Sequence, residues 1–171
     1  MTRLFVRQTV AAWFAPPSVP GLNTVYRGEP KQVPGTDFFA GTPAGTPSGA
    51  VAYPYVETQN EHRIALGGPH GAWKQADHDV ALIVRFVSNQ QTGEAAQDDH
   101  DALIDAIVDR LRADRQLGTT IDQTPHIFQA GEGDTVGGAD IHILSDLPKL
   151  ANNQLVIWSA VRFRVVVMVQ S

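Results

Sequence analysis

The sequence predicts an α+β fold, a mostly antiparallel sheet with an N-terminal helix and one main helix packed on one face. Strand-like segments follow one another through short turns, a single long amphipathic segment separates two groups of them, and a long alternating segment closes the chain. With 171 residues, the chain is long enough for one domain with a real core. We therefore expect a single domain over residues 1–171.

The N-terminal segment MTRLFVRQTVAAWFAPP predicts an amphipathic helix that ends at the double proline 16–17. Arg3 and Arg7 lie four residues apart on one side of it. Because Arg7 and Gln8 interrupt the apolar run, a helix is favoured over a secretory signal peptide. The predicted apolar face consists of Leu4, Val10, Ala11 and Phe14.

A proline- and glycine-rich connector follows, with one short extended piece from Leu22 to Tyr26. It leads into a Gly/Thr/Pro-rich loop at about 35–50, where Gly-Thr-Pro repeats. This loop lacks the lysine followed by Ser or Thr that a phosphate-binding loop requires, and its prolines remove amide donors. We expect a flexible or extended surface loop.

Two strands are predicted at 51–57 and 61–66, then a turn at 67–71 and a third strand at 78–87. Pro54 indicates that the first of these is an edge or bulged strand. The third strand alternates, so that two different faces are predicted. One face has Val80, Leu82, Val84 and Phe86; the other has Asp79, Ala81, Ile83, Arg85 and Val87.

The clearest helix begins at an Asp98 or Asp99 cap and ends at Gly118. Its apolar stripe combines residues that recur every four positions with their neighbours. We expect its outer face to be solvated. The stripe contains Leu103, Ile104, Ile107, Val108 and Leu111, and the outer face contains Asp105, Asp109 and Asp114.

Residues 126–147 predict two short strands around a glycine-rich turn, and NQLVIWSAVRFRVVVMVQS predicts a long final strand. One face of this strand is almost wholly apolar. The other face is mixed, which raises the question of why large apolar residues and two arginines lie where water should reach. The mixed face has Trp158, Arg162, Arg164 and Met168.

No motif predicts a catalytic, cofactor or metal site, and we expect no enzyme. The chain has no cysteine, no HExxH and no GxSxG, and Ser48 and Ser159 lack helpful neighbours. His78 and His100 have aspartate neighbours, which solvated polar clusters explain as well as a metal would. Glu132 and Asp134 lie in a turn that favours those residues anyway. The net charge of −5 argues against a protein that binds nucleic acid through contacts with its phosphates.

Several segments together resemble one family: VAAWFA, PGLNTVYRGEP, EHRIAL, DVALIVRF, DHDALIDAIVDRLRADRQLG and WSAVRFRVVV. They are similar to tail terminator proteins of long-tailed, siphovirus-type bacteriophages. The resemblance implies a structural virion protein that forms a hexameric ring at the head-proximal end of the tail tube and ends tube polymerisation. Its implied partners are further copies of itself, the major tail tube protein and a head-side connector or head-closure protein. DNA would pass through the ring without sequence-specific binding. The implied location is the virion, with assembly in the host cytoplasm.

A ring subunit needs interface anchors, and exposed Trp and Arg side chains are enriched at such positions. The alternative is that the connector at 21–50 covers the mixed face within the same chain. Other functions stay open: another neck protein, a tail tube subunit, an adaptor of a secretion or injection machine, or a small-molecule binding domain or enzyme. We expect Arg162→Glu or Trp158→Ala to weaken assembly without unfolding the chain. The predicted interface residues are Trp158, Arg162, Arg164, Met168, Phe38 and Phe39.

Overall fold

The computed structural model describes residues 2–64, 73–132 and 140–170. Within those ranges it contains two α-helices, a 3₁₀ turn and seven strands. In chain order these are α1 (Thr2–Trp13), β1 (Leu22–Val25), the 3₁₀ turn (Gly35–Phe39), β2 (Ser48–Arg63), β3 (Trp73–Ser88), α2 (Gly93–Ala113), β4 (His126–Ala130), β5 (Ile141–Ser145), β6 (Lys149–Ala151) and β7 (Gln154–Gln170).

The strands form one sheet in the order β1-β2-β3-β7-β4, with β5 and β6 also paired to β7. Among the described strands, only β1 and β2 pair in parallel. β7 is the central strand of the sheet. It pairs along its whole length with β3 on one edge, and with β4, β5 and β6 in turn on the other edge. This confirms the predicted α+β class with a mostly antiparallel sheet, an N-terminal helix and one main helix.

The two strands predicted at 51–57 and 61–66 belong to a single strand, β2, which ends at Arg63; residues 65 and 66 of the second prediction lie outside the described residues. Pro54 and a bulge between Val56 and Thr58 are accommodated inside it, as the prediction of an edge or bulged strand requires. The amide of Tyr26 donates to the carbonyl of Ala52, so alternate residues of β2 face β1. Pro54 follows in that series after β1 has ended, and its missing N–H therefore removes no ladder bond.

Both helices pack on one face of the sheet and enclose the main core. On α1 the prediction was wrong at one position: Leu4 is 52% exposed, and Val6 takes the buried place. Position 6 precedes Val10 by one helical turn, whereas position 4 points away. The fully buried side chains that fill this core include Val6, Val10, Phe14, Leu82, Phe86, Ile107, Leu111, Ile127 and Phe163.

α2 begins five residues before the predicted Asp98. Thr92 is its cap, and the Thr92 hydroxyl accepts a hydrogen bond from the Ala95 amide at 3.2 Å. The apolar stripe from Leu103 to Leu111 is buried as predicted.

The predicted end of α2 at Gly118 was also wrong, because the helix ends at Ala113. The Asp114 carboxylate turns back to accept from the amides of Gln116 and Gly118, at 2.8 and 2.9 Å. Asp114 therefore fixes the turn after the helix and does not belong to the outer face. Gly118 lies in that turn with a φ of 75°.

Of the loop predicted at about 35–50, residues 35–39 form the 3₁₀ turn and residues 48–50 begin β2. The Gly-Thr-Pro repeat between them is an exposed loop with two consecutive turns. Amides of Thr42 and Thr46 donate to the carbonyls of Phe39 and Pro43, three residues earlier in each case. The turn predicted at 67–71 and the glycine-rich turn with Asp134 lie outside the described residues. Neither α1 nor α2 is long and apolar enough to cross a membrane.

Candidate protein interface on the open sheet face

The face of the sheet opposite α1 and α2 is made of cross-strand rows, and we call it the open face. We call the rows at the Trp158 end of the face the upper rows and those at the Met168 end the lower rows. The first two upper rows are aromatic and apolar apart from Arg85, and the third also contains polar side chains. The upper rows are Val51–Arg85–Trp158, Tyr53–Ile83–Ala160–Leu144 and Tyr55–Ala81–Arg162–His142. The lower rows are polar: Thr58–Asp79–Arg164, Asn60–Asp77–Val166 and His62–Gln75–Met168.

Large apolar side chains of the upper rows remain in contact with water. Tyr55 is 52% exposed, Trp158 is 41% exposed and Leu144 is 42% exposed. They come from β2, β7 and β5, so the exposed apolar surface extends across the width of the sheet. Small neighbours such as Ala81 are buried beneath this layer.

Two arginines of the open face are neutralised within the chain. Arg162 bonds the Glu57 carboxylate with an N–O distance of 3.0 Å, and Glu57 is carried by the β2 bulge. Arg164 bonds the buried Asp77 carboxylate, which also accepts from the Gln75 amide at 2.7 Å. Each of the two arginines predicted on the mixed face is therefore one member of an ion pair within the chain.

Arg85 is held differently, by aromatic rings. Its guanidinium carbon lies 4.1 Å from the Trp158 ring centroid and 5.5 Å from that of Tyr53. Cation–π contact of this kind fixes the position of the cation without cancelling its charge. Arg85 forms no ion pair with any residue in the described ranges.

The 3₁₀ turn covers one corner of the open face, beside β1 and β2. The Thr24 hydroxyl donates to the Asp37 carbonyl at 2.8 Å, and the Tyr26 hydroxyl donates to the Asp37 carboxylate. Burial, reinforced by that carboxylate, raises the pKa of Tyr26 to about 12. The connector at 21–50 therefore covers the open face at this corner, as the alternative predicted, but it does not cover the rest, because Trp158 and Tyr55 stay exposed.

The predicted interface residues do not form one compact patch. Trp158, Arg162, Arg164 and Met168 share the open face, but Met168 lies ten residues beyond Trp158. That separation is about 33 Å at ~3.3 Å per residue of strand. Phe38 and Phe39 are half-buried in the 3₁₀ turn at the far edge.

Sequence reasoning missed the role of Arg85 and the exposure of Tyr55 and Leu144. Arg85 was assigned to the less apolar face of its strand, but nothing in the sequence fixes the register that places it against Trp158. The alternation alone could identify the face and could not identify the partner.

The interpretation of His78 and His100 as parts of solvated clusters was wrong, because both are buried. His78 lies on the helix side of β3, and neither ring nitrogen has a hydrogen-bond partner among the described residues. Burial, assisted by the nearby Arg3 charge, lowers the pKa of His78 below its usual value, although Asp77 opposes the shift.

His100 contacts two polar side chains on the helix side of the sheet. Its Nε2 lies 2.8 Å from the Ser159 hydroxyl and its Nδ1 lies 3.1 Å from the Asp101 carboxylate. The order serine–histidine–aspartate matches that of a hydrolase triad. Here Ser159 faces the core, is buried and also bonds Ser145 at 2.7 Å, so this line of side chains holds α2 against β7 and β5.

No group of three or more potential metal ligands comes together in the described part of the chain. Glu132 bonds Gln129 at 2.9 Å and lies 3.8 Å from Arg115. The cleft between α2 and the start of β2 has a volume of about 340 Å³. Its polar side chains bond one another: the Asp99 carboxylate accepts from Ser48 at 2.5 Å and from Gln90 at 2.9 Å.

Within the described residues, the open face thus combines exposed aromatic and apolar side chains with an arginine held by aromatic rings, which makes it the candidate recognition surface. No protein-family model matches the chain, and no curated protein matches it in sequence.

Proposed function

We propose that this chain is a structural virion protein that forms a ring at the head-proximal end of a phage tail tube. In that role it ends tube polymerisation and presents a surface to the head-side connector, and it works in the virion. The proposal combines the family resemblance of the sequence with one feature of the molecule. That feature is the open face, where Trp158 is exposed against Arg85 while Leu144 and Tyr55 are exposed further along the same face.

An exposed apolar and aromatic surface of this kind favours a protein partner. Trp, Tyr and Arg are the residues most enriched among interface anchors, and they act best when water is excluded around them. Single exposed apolar residues need no explanation, but here three strands contribute to one surface. A ring subunit uses such a surface because each copy must contact a neighbour on either side.

The charge of the chain also suits this role. A net charge of −5 gives little long-range attraction for DNA phosphates. A ring through which DNA travels benefits from that property, since a basic wall would retain the DNA.

The first test is the length of tails seen by negative-stain microscopy in a phage lysate where this gene is silenced. Overlong, headless tails are expected, because nothing would stop tube growth. Tails of normal length that fail to join heads would instead assign the protein to tail-to-head joining. Normal infectious particles would remove it from the neck altogether.

A tail tube subunit is the nearest rival and predicts the opposite phenotype. Silencing a tube subunit would remove tails, whereas silencing a terminator would lengthen them. The same micrographs therefore separate these two functions.

A further inference from the structure

We infer that the open face binds the outer surface of α2 of a second copy of this chain, with Arg85 as its electrostatic anchor. The inference rests on the proposed ring function and names the two surfaces that would meet. A ring is built from contacts between two different surfaces of the same subunit.

Arg85 is the open-face arginine that forms no ion pair with a described residue. Arg162 and Arg164 each bond a carboxylate of their own chain. The Nε atom of Arg85 is buried and has no hydrogen-bond partner in the described residues. The Arg85 side chain as a whole is only partly buried, so a carboxylate from outside can approach the accessible part of its guanidinium and neutralise its charge.

The outer surface of α2 offers such carboxylates. They recur at spacings of three and four residues, so they form one stripe along the helix. Apart from the bond of Asp101 to His100, none of them forms an ion pair within the described chain. Like charges four residues apart destabilise a helix, and an approaching cation would relieve that repulsion. The stripe contains Glu94, Asp98, Asp101, Asp105 and Asp109, all of them exposed.

The positions of the two surfaces favour a head-to-tail contact. α2 packs on one face of the sheet, and Arg85 lies on the other. One copy can therefore bind the next through unlike surfaces, and repetition of that contact closes into a ring when the rotation allows it. Trp158 lies against Arg85, and Leu144 and Tyr55 lie one and two rows further along the same face. Their burial in the contact would exclude water from one side of the Arg85–carboxylate pair.

The absence of cysteine from the native chain permits a direct test. We would prepare two single-cysteine variants, Ala160→Cys on the open face and Ala102→Cys on the exposed side of α2, and label one with ¹⁵N. After treatment with a short bismaleimide, mass spectrometry should find mainly the mixed dimer. The matched control pairs Ala160→Cys with Gln123→Cys, an exposed position before β4.

Charge exchange tests the role of Arg85 itself. Arg85→Glu and Asp105→Arg should each weaken self-association about ten-fold or more, as expected for a central interface residue. Mixing these two variants should restore one interface, in which the new glutamate at position 85 meets the new arginine at position 105. Arg27→Glu is the control, because this exposed arginine lies beside α1 and belongs to neither of the two proposed surfaces.

Two results would overturn the inference: a mixed cross-link no stronger than the control pair, or an Arg85→Glu variant that associates like the native chain. If either occurs while gene silencing still lengthens tails, the ring function stands and its subunits meet elsewhere. If the cross-link forms but tails keep their length, the self-docking stands and the tail function is wrong.

Discussion

His78 shows how one side chain makes stability depend on pH. It is completely buried between the sheet and the N-terminal part of the molecule, with Arg3, Asp77, Glu61 and Asp79 as the charged groups that act on it. Since burial lowers its pKa in the folded state, the unfolded chain binds a proton more readily. The free energy of unfolding is therefore greatest above the ordinary histidine pKa and falls as the pH drops from about 6.5 toward the lowered folded-state value.

We expect His78→Phe to remove this part of the pH dependence while keeping a ring in the same space. Urea unfolding at pH 7.5 and pH 5 would measure it, with the exposed His62→Gln variant as control. If His78→Phe loses as much stability on acidification as the native chain, another group is responsible.

At the residue scale, alternation predicted the faces of β3 and β7 correctly. Val80, Leu82 and Phe163 all lie in the core, and Trp158 lies opposite. The environments of His78 and His100 could not be predicted. Their aspartate neighbours suggested water, but Asp77 and Asp79 lie on the opposite side of β3 from His78, as successive residues of a strand must.

The 3₁₀ turn depends on a glycine in another element. Gly49 of β2 lies beneath it, and a Cβ added there would come within 1.9 Å of the Phe38 carbonyl oxygen. Gly49→Ala should displace the turn and cost about 1–3 kcal/mol, the usual penalty for overpacking. Denaturant unfolding would measure the loss, and amide hydrogen exchange at residues 37–39 would locate it.

Gly35→Ala is the matched control, because a Cβ at that position meets nothing within 4 Å. It should leave both stability and exchange nearly unchanged. Equal losses in the two variants would mean that helix geometry within the turn matters more than its contact with β2.

Elements were easier to predict than their ends. The apolar stripe of α2 was found from its period, yet its start was misplaced because Asp98 and Asp99 are good caps in isolation. The true cap, Thr92, precedes five residues without an apolar pattern that would mark them as helical. β2 was divided for a similar reason: its polar middle breaks the alternation, while pairing with β3 continues through it.

At the scale of the whole molecule, the two sides of β7 have different surroundings. Phe163 points to the helices and is 1% exposed, whereas Trp158 points to the open face. Phe163→Ala should lower the free energy of unfolding by about 3–5 kcal/mol, because a large core cavity remains. Trp158→Ala should cost only about 1 kcal/mol, mainly the cation–π contact with Arg85.

Assembly should show the reverse order. Trp158→Ala is expected to keep its circular dichroism spectrum and lose self-association, because the open face loses both an anchor and the ring that positions Arg85. Phe163→Ala, studied well below its unfolding temperature, should still associate. If Trp158→Ala keeps both its spectrum and its self-association, the open face has no role in assembly. The two variants thus test whether the side of β7 that stabilises the fold differs from the side that recognises a partner.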